Sequence, residues 1–209
     1  MSRLKINKNT IDLLDSPLKD VEFTIFDLET TGVHPQNGDK ILEIGAVKLT
    51  KNFRISKNKF HRLIRSDIDV PEESFKIHGI SSEELKKGED ECVALYDFFD
   101  FARGTILVAH NASKDIAFIK HTLKEYMVET PFDIVIDTLK LSRKSDPLAA
   151  GHNLDKITER FNIAVKSPFK RHRALYDAEV TATFFKIVLR SIFKKKNFTL
   201  LELIEFIEK

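Results

Sequence analysis

The sequence predicts an α/β domain in which a meander of three antiparallel strands precedes two strands that alternate with helices. Apolar, β-favouring runs at residues 21–26, 41–49 and 60–64 are separated by short connections, which favour antiparallel pairing. Two later runs, 105–109 and 132–136, are each followed by a segment with the apolar spacing of a helix. The 209 residues suffice for one domain with a sizeable core.

Composition excludes several classes of protein. The net charge of +2 is lower than in proteins that coat nucleic acids, so any contact with nucleic acid should be local. The single cysteine, Cys92, excludes an internal disulfide and a cysteine zinc site, and its helical apolar surroundings predict a buried, inert thiol. Because no signal peptide opens the chain and no apolar run reaches membrane-spanning length, we expect a cytoplasmic protein with no membrane contact.

The first strand runs directly into two acids, Asp27 and Glu29. Side chains alternate between the faces of a strand, so these two carboxylates point the same way. Carboxylates so placed repel each other and lose hydration unless a cation lies between them. Oxygen ligands of this kind suit Mg²⁺ or Mn²⁺. Taken alone, however, the pattern also describes an ordinary solvated strand end.

The remainder of the first half contains few candidates for chemistry. Residues 1–20 are polar and basic, and we expect a loosely attached arm. Glu43, in the second strand, could be a further metal ligand, although a structural or edge acid is the simpler interpretation. Ser81 and Glu84 form a capping-box pattern, which predicts the start of a helix. Residues 91–101 carry apolar side chains at helical spacing.

The fourth strand, residues 105–109, ends where a helix begins, at residues 110–113. Asp115 lies in the first turn of this helix. It either complements the helix dipole or belongs to a site at the carboxyl ends of the strands. The predicted apolar stripe of the helix consists of Ile116, Ile119, Leu123 and Met127.

Helices dominate the rest of the chain. They are predicted from Thr138, over 153–161 with Asn153 as a cap, and over 172–193. Apolar residues cover most of the last of these, so Asp177 needs a partner. A short capped helix over 199–209 should pack on its own domain through Leu200, Leu203, Ile204 and Ile207.

Basic residues cluster before the long helix, and they describe either a solvated loop or a phosphate contact. They are Lys166, Lys170, Arg171 and Arg173.

Together, the acids indicate a metal-dependent reaction. They are contributed by three separate elements, which suits two cations that clamp the attacking and leaving oxygens of a phosphodiester. His172 stands five residues before the last acid and is a natural base for the attacking water. The four acids are Asp27, Glu29, Asp115 and Asp177.

Three motifs carry a resemblance to a known family. They are Asp27-Leu-Glu29-Thr-Thr-Gly, His110-Asn111-Ala112-Ser-Lys-Asp115 and His172-Arg-Ala-Leu-Tyr-Asp177-Ala. In order and spacing they resemble the exonuclease motifs of the DEDDh family, in particular those of the epsilon proofreading subunits of bacterial DNA polymerase III. The resemblance extends from about residue 21 to residue 193.

The resemblance implies an RNase H-like fold, in which an antiparallel meander of strands 1–3 and parallel strands 4 and 5 form one mixed sheet. It also implies 3′→5′ cleavage at single-stranded or frayed DNA ends, with release of nucleoside monophosphates, in proofreading or repair. A DNA polymerase subunit is an implied partner, and two Mg²⁺ or Mn²⁺ ions are the implied cofactors.

The resemblance also assigns residue roles. Asp27, Glu29 and Asp177 would hold one metal ion with the scissile phosphate. Asp115 would hold the second ion through water, and His172 would be the general base. The terminal nucleotide would meet residues of the metal site and of the segment 73–79. These substrate contacts are Asp27, Glu29, Thr30, Glu73, Ile77, His78, His110, Asn111 and Asp177.

One departure affects the substrate contacts, because Lys114 stands where the family usually has an aromatic residue. The other histidines are expected to be surface or structural residues: His34, His61, His121 and His152. The expected organisation is an arm over 1–20, an exonuclease domain over 21–196 and a short C-terminal helix over 197–209.

Two alternatives to a DNA exonuclease stay open at this point. Nothing in the sequence recognises a 2′-hydroxyl, so an RNA-trimming exonuclease of the same family fits the motifs. A non-catalytic nucleic-acid-binding module could also keep the fold. Such a module would be expected to have lost a carboxylate or the histidine, and neither is missing.

Overall fold

A computed structural model of the chain describes residues 8–164, 167–195 and 197–209, and contains a five-stranded mixed sheet. Its spatial order is β3-β2-β1-β4-β5; the first three strands of the chain pair antiparallel, whereas β4 and β5 run parallel to β1. The predicted meander and mixed sheet are therefore confirmed. The strands are β1 (Phe23–Thr30), β2 (Ile41–Thr50), β3 (Arg54–Leu63), β4 (Ile106–Ala109) and β5 (Val135–Asp137).

Helices flank this sheet, and α3, α7 and α9 begin at the predicted caps. Ser81 and Glu84 form a capping box, as do Thr199 and Glu202, and Asn153 accepts a hydrogen bond from the Lys156 N–H. In the described part of the chain the helices are α1 (Lys8–Leu14), α2 (Glu72–His78), α3 (Ser82–Leu85), α4 (Glu91–Phe101), α5 (Ser113–Glu125), α6 (Thr138–Ser145), α7 (Leu154–Arg160), α8 (Ala174–Lys195) and α9 (Leu200–Glu208).

The alternation of side chains along β1 divides the core into two layers. Phe23 and Ile25 face a core that α7, α8 and α9 complete, whereas Phe26 and Leu28 face α4 and α5 on the other side. Asp27 and Glu29 follow Ile25 by two and four residues, so their side chains point to the same face of β1 as those of Phe23 and Ile25. The two acids therefore extend the face that α8 covers.

The chain ends pack more closely than the sequence predicts. Leu18 is fully buried, and its N–H donates to the Phe198 carbonyl at 3.0 Å, while the Leu200 N–H donates to the Ser16 carbonyl at 3.1 Å. The expected loose attachment is therefore wrong for this part of the arm; residues 1–7 lie outside the described residues. The apolar face of α9 packs on its own domain as predicted. The division of the chain at residues 20 and 197 stays a prediction.

Two predicted core positions are exposed. The α5 helix stops at Glu125 because Met127 adopts a left-handed conformation (φ 57°) and the Val128 N–H donates to the Leu123 carbonyl, a common helix end. Met127 is therefore 93% exposed, whereas Phe118, Ile119 and Leu123 are the buried apolar residues of the helix. The Cys92 thiol is also exposed, because α4 buries a narrow face to which Cys92 does not belong.

Several boundaries also differ from the prediction. The third strand begins at Arg54, before the apolar run that predicted it. Its first half is largely exposed and carries polar residues, so no apolar pattern marked it in the sequence. Fifth-strand pairing is confined to Val135–Asp137. The short helix α2 was not predicted, since its seven residues are too few for a clear apolar period. Among the described residues, no helix is both long and apolar enough to cross a membrane.

Candidate active site

Three carboxylates meet where the end of β1 lies beneath the first turn of α8. Asp27 and Glu29 share the face of β1 that α8 covers, and Asp177 projects from α8. Each contributes an oxygen to a group in which all the oxygens lie within 4.8 Å of one another. The predicted convergence of these three acids is therefore observed.

A glycine allows α8 to approach the sheet at this point. Gly45 pairs with Asp27 across β1 and β2. A Cβ atom at Gly45 would collide with the backbone of Ala174 and Leu175, the first residues of α8. Because the missing side chain leaves this space free, the helix lies close enough for Asp177 to reach the strand acids.

The fourth acid arrives from the opposite side of the sheet. Asp115 lies in the first turn of α5 and is buried. Its carboxylate accepts a hydrogen bond of 3.1 Å from the Leu28 N–H, which ties the start of α5 to the backbone of β1 between the two strand acids. Asp115 thus faces the same cleft, although it is not one of the three mutually close carboxylates.

The cleft has a volume of about 400 Å³. Of the predicted site residues, Glu73 alone does not line it, and its side chain is exposed on α2. The predicted residues that do line the cleft are Asp27, Glu29, Thr30, Ile77, His78, His110, Asn111, Asp115, His172 and Asp177. The structure adds Leu28, Gly32, Val33, Ser74, Lys114, Phe118, Leu154 and Arg171.

Burial raises the pKa of all four acids in the cleft. Desolvation is the largest cause in each case. The pKa of Glu29 rises to about 8, that of Asp115 to about 7 and that of Asp177 to about 6. The pKa of Asp27 also rises well above its usual range, through desolvation and then through the charges of Asp115 and Asp177. In the metal-free cleft the protonated forms of these carboxyls are therefore favoured over their ordinary state.

These groups fit an oxygen-coordinated divalent cation. Asp177 Oδ1 is buried and has no hydrogen-bond partner among the residues that the structure describes. A buried polar atom without a partner is costly, and a cation would satisfy it. The donor set of three close carboxylates, with a fourth nearby, matches the preference of Mg²⁺ and Mn²⁺ for oxygen.

Comparison with known sequences decides the family. A sequence model of the RNase T type, described as exonuclease, matches residues 24–185. The chain belongs to this exonuclease family. It is 37% identical over 166 residues to the DNA polymerase III subunit epsilon of Rickettsia typhi. This match covers 77% of the chain and 71% of that protein.

A second relative is much longer than this chain. A DNA polymerase III subunit epsilon-like protein of Rhodobacter capsulatus is 35% identical over 181 residues. The match covers 86% of the chain and 25% of that relative, so the chain spans about a quarter of the relative's length.

Solved exonuclease structures share the fold. One is exonuclease X in complex with 5′ overhanging duplex DNA, which matches with a TM-score of 0.69 at 24% identity. The match covers 88% of this chain and 99% of that one. The nuclease domain of 3′hExo, a DEDDh family member bound to rAMP, gives a TM-score of 0.71 at 16% identity, over 84% of this chain and 95% of that one. These likenesses confirm the predicted RNase H-like fold, and the sequence model confirms the predicted exonuclease family.

The protein holds His172 in an uncommon backbone conformation between two arginines. His172 has a left-handed φ of 61°, which only surrounding contacts maintain. On one side, Arg173 donates to both oxygens of the fully buried Glu43, at 2.6 to 3.2 Å. On the other side, Arg171 is paired with Asp155 and Asp177. Both neighbours of His172 are therefore anchored.

Glu43 has a structural role and does not line the cleft. Its carboxylate also accepts a hydrogen bond of 2.7 Å from the Ala174 N–H and contacts His61 Nε2 at 2.6 Å. Burial raises the pKa of Glu43, but hydrogen bonds from His61 and Arg173 outweigh burial and hold it below its usual value. Glu43 thus fixes the start of α8 against β2.

The basic cluster before α8 is only partly a solvated loop. Arg171 and Arg173 are engaged in the ion pairs just described. Lys170 is exposed, and Lys166 lies outside the described residues. Sequence reasoning missed the role of Arg171, for which the only signal is its position next to His172.

Burial lowers the pKa of all three histidines in the cleft. The pKa of His172 falls through burial and then through the Arg171 charge, and this shift favours the neutral imidazole. Burial also lowers the pKa of His78, and it lowers that of His110 to about 4. His110 Nδ1 contacts Thr138 Oγ1 at 3.0 Å, and His78 Nδ1 accepts the Ile80 N–H at 3.0 Å.

The remaining histidines lie outside the cleft lining. His61 contacts Glu43, His152 contacts Ser142 at 2.9 Å, and His121 pairs with Glu125 at 3.5 Å. His34 is exposed near Gln36.

An aromatic residue still lines the cleft beside Lys114. Lys114 itself is exposed. Phe118, four residues later on the same helix, is buried and also lines the cleft. Residues four apart share one face of a helix, so Phe118 supplies apolar surface close to the position where the family usually has its aromatic residue.

Proposed function

We propose that this protein is a metal-dependent 3′→5′ exonuclease that removes nucleotides from single-stranded or frayed DNA ends, in proofreading or repair. One observation carries the proposal: the acids of all three motifs converge on one cleft, together with His172. The family match and the names of the relatives support a nuclease that acts on DNA.

The carboxylates are the proposed metal ligands. Asp27, Glu29 and Asp177 would hold one Mg²⁺ or Mn²⁺ ion, and Asp115 would help to hold a second. When bound, the two ions supply stabilisation of the negative charge on the attacking and leaving oxygens of the phosphodiester. The protein contributes a set of carboxylates whose positions are fixed before substrate arrives, by β1 pairing, by the Leu28 hydrogen bond and by the close approach of α8.

His172 is the proposed general base. Because burial and the Arg171 charge lower its pKa, the imidazole is free to accept a proton at neutral pH. It would take this proton from the attacking water while both flanking arginines hold the backbone. The cleft position of the side chain supports this role.

The other side of the cleft would hold the terminal nucleotide. Ser74, Ile77 and His78 line it from α2, and Ile77 is 58% exposed, which leaves an apolar surface for a base. Thr30, His110 and Asn111 would contact the sugar and phosphate. A contact with Glu73 stays a prediction, since Glu73 does not line the cleft.

The dimensions of the cleft favour a chain end over a paired duplex. A volume of about 400 Å³ is at the small end of ligand sites. It suits terminal nucleotides that have left their complement. Release of nucleoside monophosphates follows from hydrolysis at the last phosphodiester. A cytoplasmic location and a DNA polymerase partner belong to the same proposal, and the names of the polymerase relatives support the partner.

An RNA-trimming activity is the second candidate. It has a specific observation in its favour, because one structure that shares the fold contains rAMP. A non-catalytic binding module is disfavoured, since all four acids and the histidine are present and line one cleft.

The decisive experiment compares matched 3′-labelled DNA and RNA single strands, a blunt DNA duplex and a circular single strand. We expect DNA single strands to be shortened from the labelled end in Mg²⁺ or Mn²⁺, and no cleavage in EDTA. The circular strand should stay intact. Faster cleavage of RNA than of DNA would contradict the proposed DNA substrate and favour the RNA-trimming activity. Cutting of the circle would contradict exonuclease action.

A further inference from the structure

The geometry points to Arg171 as a positioning residue that holds Asp177 in its metal-binding orientation, with Asp155 holding Arg171 in turn. This inference rests on the proposed metal site and names a residue that the three family motifs do not include. It concerns how the site is supported and adds no group that touches the reacting atoms.

The guanidinium of Arg171 reaches in two directions. Its Nε donates to Asp155 Oδ1 at 2.6 Å, and its Nη1 donates to Asp177 Oδ2. The same Nη1 lies 3.3 Å from His172 Nδ1. Planar and always charged, an arginine fork can hold two acceptors in fixed relative directions, whereas a lysine cannot.

The two oxygens of Asp177 have different surroundings. Oδ2 accepts from Arg171, whereas Oδ1 is buried without a hydrogen-bond partner among the described residues. With Oδ2 held, rotation of the carboxylate is prevented, and Oδ1 is the atom available to a cation. Hydrogen bonds to ligating groups from outside the ligand shell act in this way in many metal sites.

Asp155 gives Arg171 a fixed support. Asp155 is in the first turn of α7, a helix that packs against α8, the helix that contains Asp177. The chain of contacts thus runs from α7 through the loop before α8 to the metal site. Arg171 is 27% exposed and Asp177 6%, so water competes little with their ion pair.

A simple charge effect would have the opposite sign. A positive guanidinium beside the site repels a cation, so removing it would strengthen metal binding if repulsion were its main influence. Positioning predicts weaker binding, and a positive charge alone should not restore it. The sign of the change and the behaviour of lysine at position 171 therefore distinguish the two explanations.

The test is calorimetric titration of the EDTA-treated full chain with Mn²⁺. We expect Arg171→Gln and Arg171→Lys each to weaken Mn²⁺ binding about ten- to a hundredfold. Asp155→Asn should weaken it in the same direction but less. Lys170→Gln, which removes a neighbouring exposed charge, is the matched control and should stay within about twofold of the wild type.

Unchanged or tighter Mn²⁺ binding by Arg171→Gln would overturn the inference, as would wild-type binding by Arg171→Lys. If Arg171→Gln does not fold, Asp155→Asn decides in its place, because Asp155 is 60% exposed and its substitution removes no buried side chain. Failure of the wild type to bind Mn²⁺ would overturn the proposed function as well, whereas wild-type binding with unaltered variants would overturn this inference alone.

Discussion

The two sides of the cleft differ in burial and in the way they are held. The carboxylate wall consists of Asp27, Glu29, Asp115 and Asp177, which lie on β1, α5 and α8 and are buried or partly buried. The α2 wall consists of Ser74, Ile77 and His78, and Ile77 and most of its helix are exposed. The first wall therefore has fixed groups at the centre of the fold, whereas the second lies on a short surface helix.

This difference fits a division of labour. Charge stabilisation in a reaction requires groups that are fixed before substrate arrives and are shielded from water. In contrast, a surface that binds successive nucleotides of any base must be accessible to them, and it is therefore exposed. We therefore expect changes in the carboxylate wall to act on the rate of the chemical step, and changes in the α2 wall to act on substrate affinity.

The largest effect should come from Asp27→Asn. Asp27 contributes to the group of close carboxylates, so kcat should fall at least about a thousandfold. The fold should persist, and the metal-free variant should resist urea better than the wild type, because a repelled charge has been removed. Initial rates on a 3′-labelled single strand measure the first expectation.

Asp100→Asn, an exposed acid on α4 outside the cleft lining, is the control for Asp27→Asn. Metal-dependent activity above about one per cent of the wild type in Asp27→Asn would contradict the two-metal proposal.

His172→Ala should have the next largest effect. Loss of a general base lowers the chemical step about a hundredfold or more, so kcat should fall by that factor while Mn²⁺ binding is retained. His121→Ala, in which the lost histidine pairs with Glu125 away from the cleft, is the control. A change confined to KM would make His172 a phosphate contact, and His110 would become the next candidate for the base.

Ile77→Ala should affect the α2 wall alone. The lost apolar surface should raise KM about three- to tenfold and leave kcat within about twofold. Phe75→Ala is the matched control, because Phe75 is exposed on the same helix but does not line the cleft. A large fall in kcat for Ile77→Ala would show that the two walls do not act separately.

The smallest effect concerns the stability of the metal-free protein. The pKa of Glu29 is raised from 4.5 to about 8, so between these values the folded state keeps a proton that the unfolded state has lost. Stability should therefore fall as pH rises through this window. Urea midpoints in EDTA should be lower at about pH 8.5 than at about pH 6, and Mg²⁺ should reverse the loss.

Glu29→Gln is the corresponding variant, and it should flatten this pH dependence, whereas Ile77→Ala should keep it. If the midpoint of urea unfolding in EDTA rises with pH, the raised pKa values of the carboxylate wall are contradicted.

Local periodicity in the sequence was sufficient to predict many elements of the fold and their buried faces. The two-residue period of β1 placed Asp27 and Glu29 on one face, and the helical period identified α8 as a buried helix whose Asp177 needs a partner. Capping residues marked the starts of α3, α7 and α9. Each of these features depends on residues that are close in the chain, which is why the sequence alone was sufficient.

Periodicity was less informative where an element ends or is short. A left-handed residue at Met127 stopped α5 before its predicted stripe was complete. The seven residues of α2 did not form a recognisable pattern, so the exposed wall of the cleft was known only from a resemblance. Glu73 was included on that basis, and the structure places it outside the cleft lining.

Only the tertiary structure decided which distant residues meet. Gly45 allows α8 to approach β2, Glu43 binds Arg173 across 130 residues of sequence, and Arg171 joins α7 to Asp177. A sequence period shows which side of an element is buried, but it does not show which element covers that side. That choice depends on the packing of the whole chain, and the support of the metal site depends on the same packing.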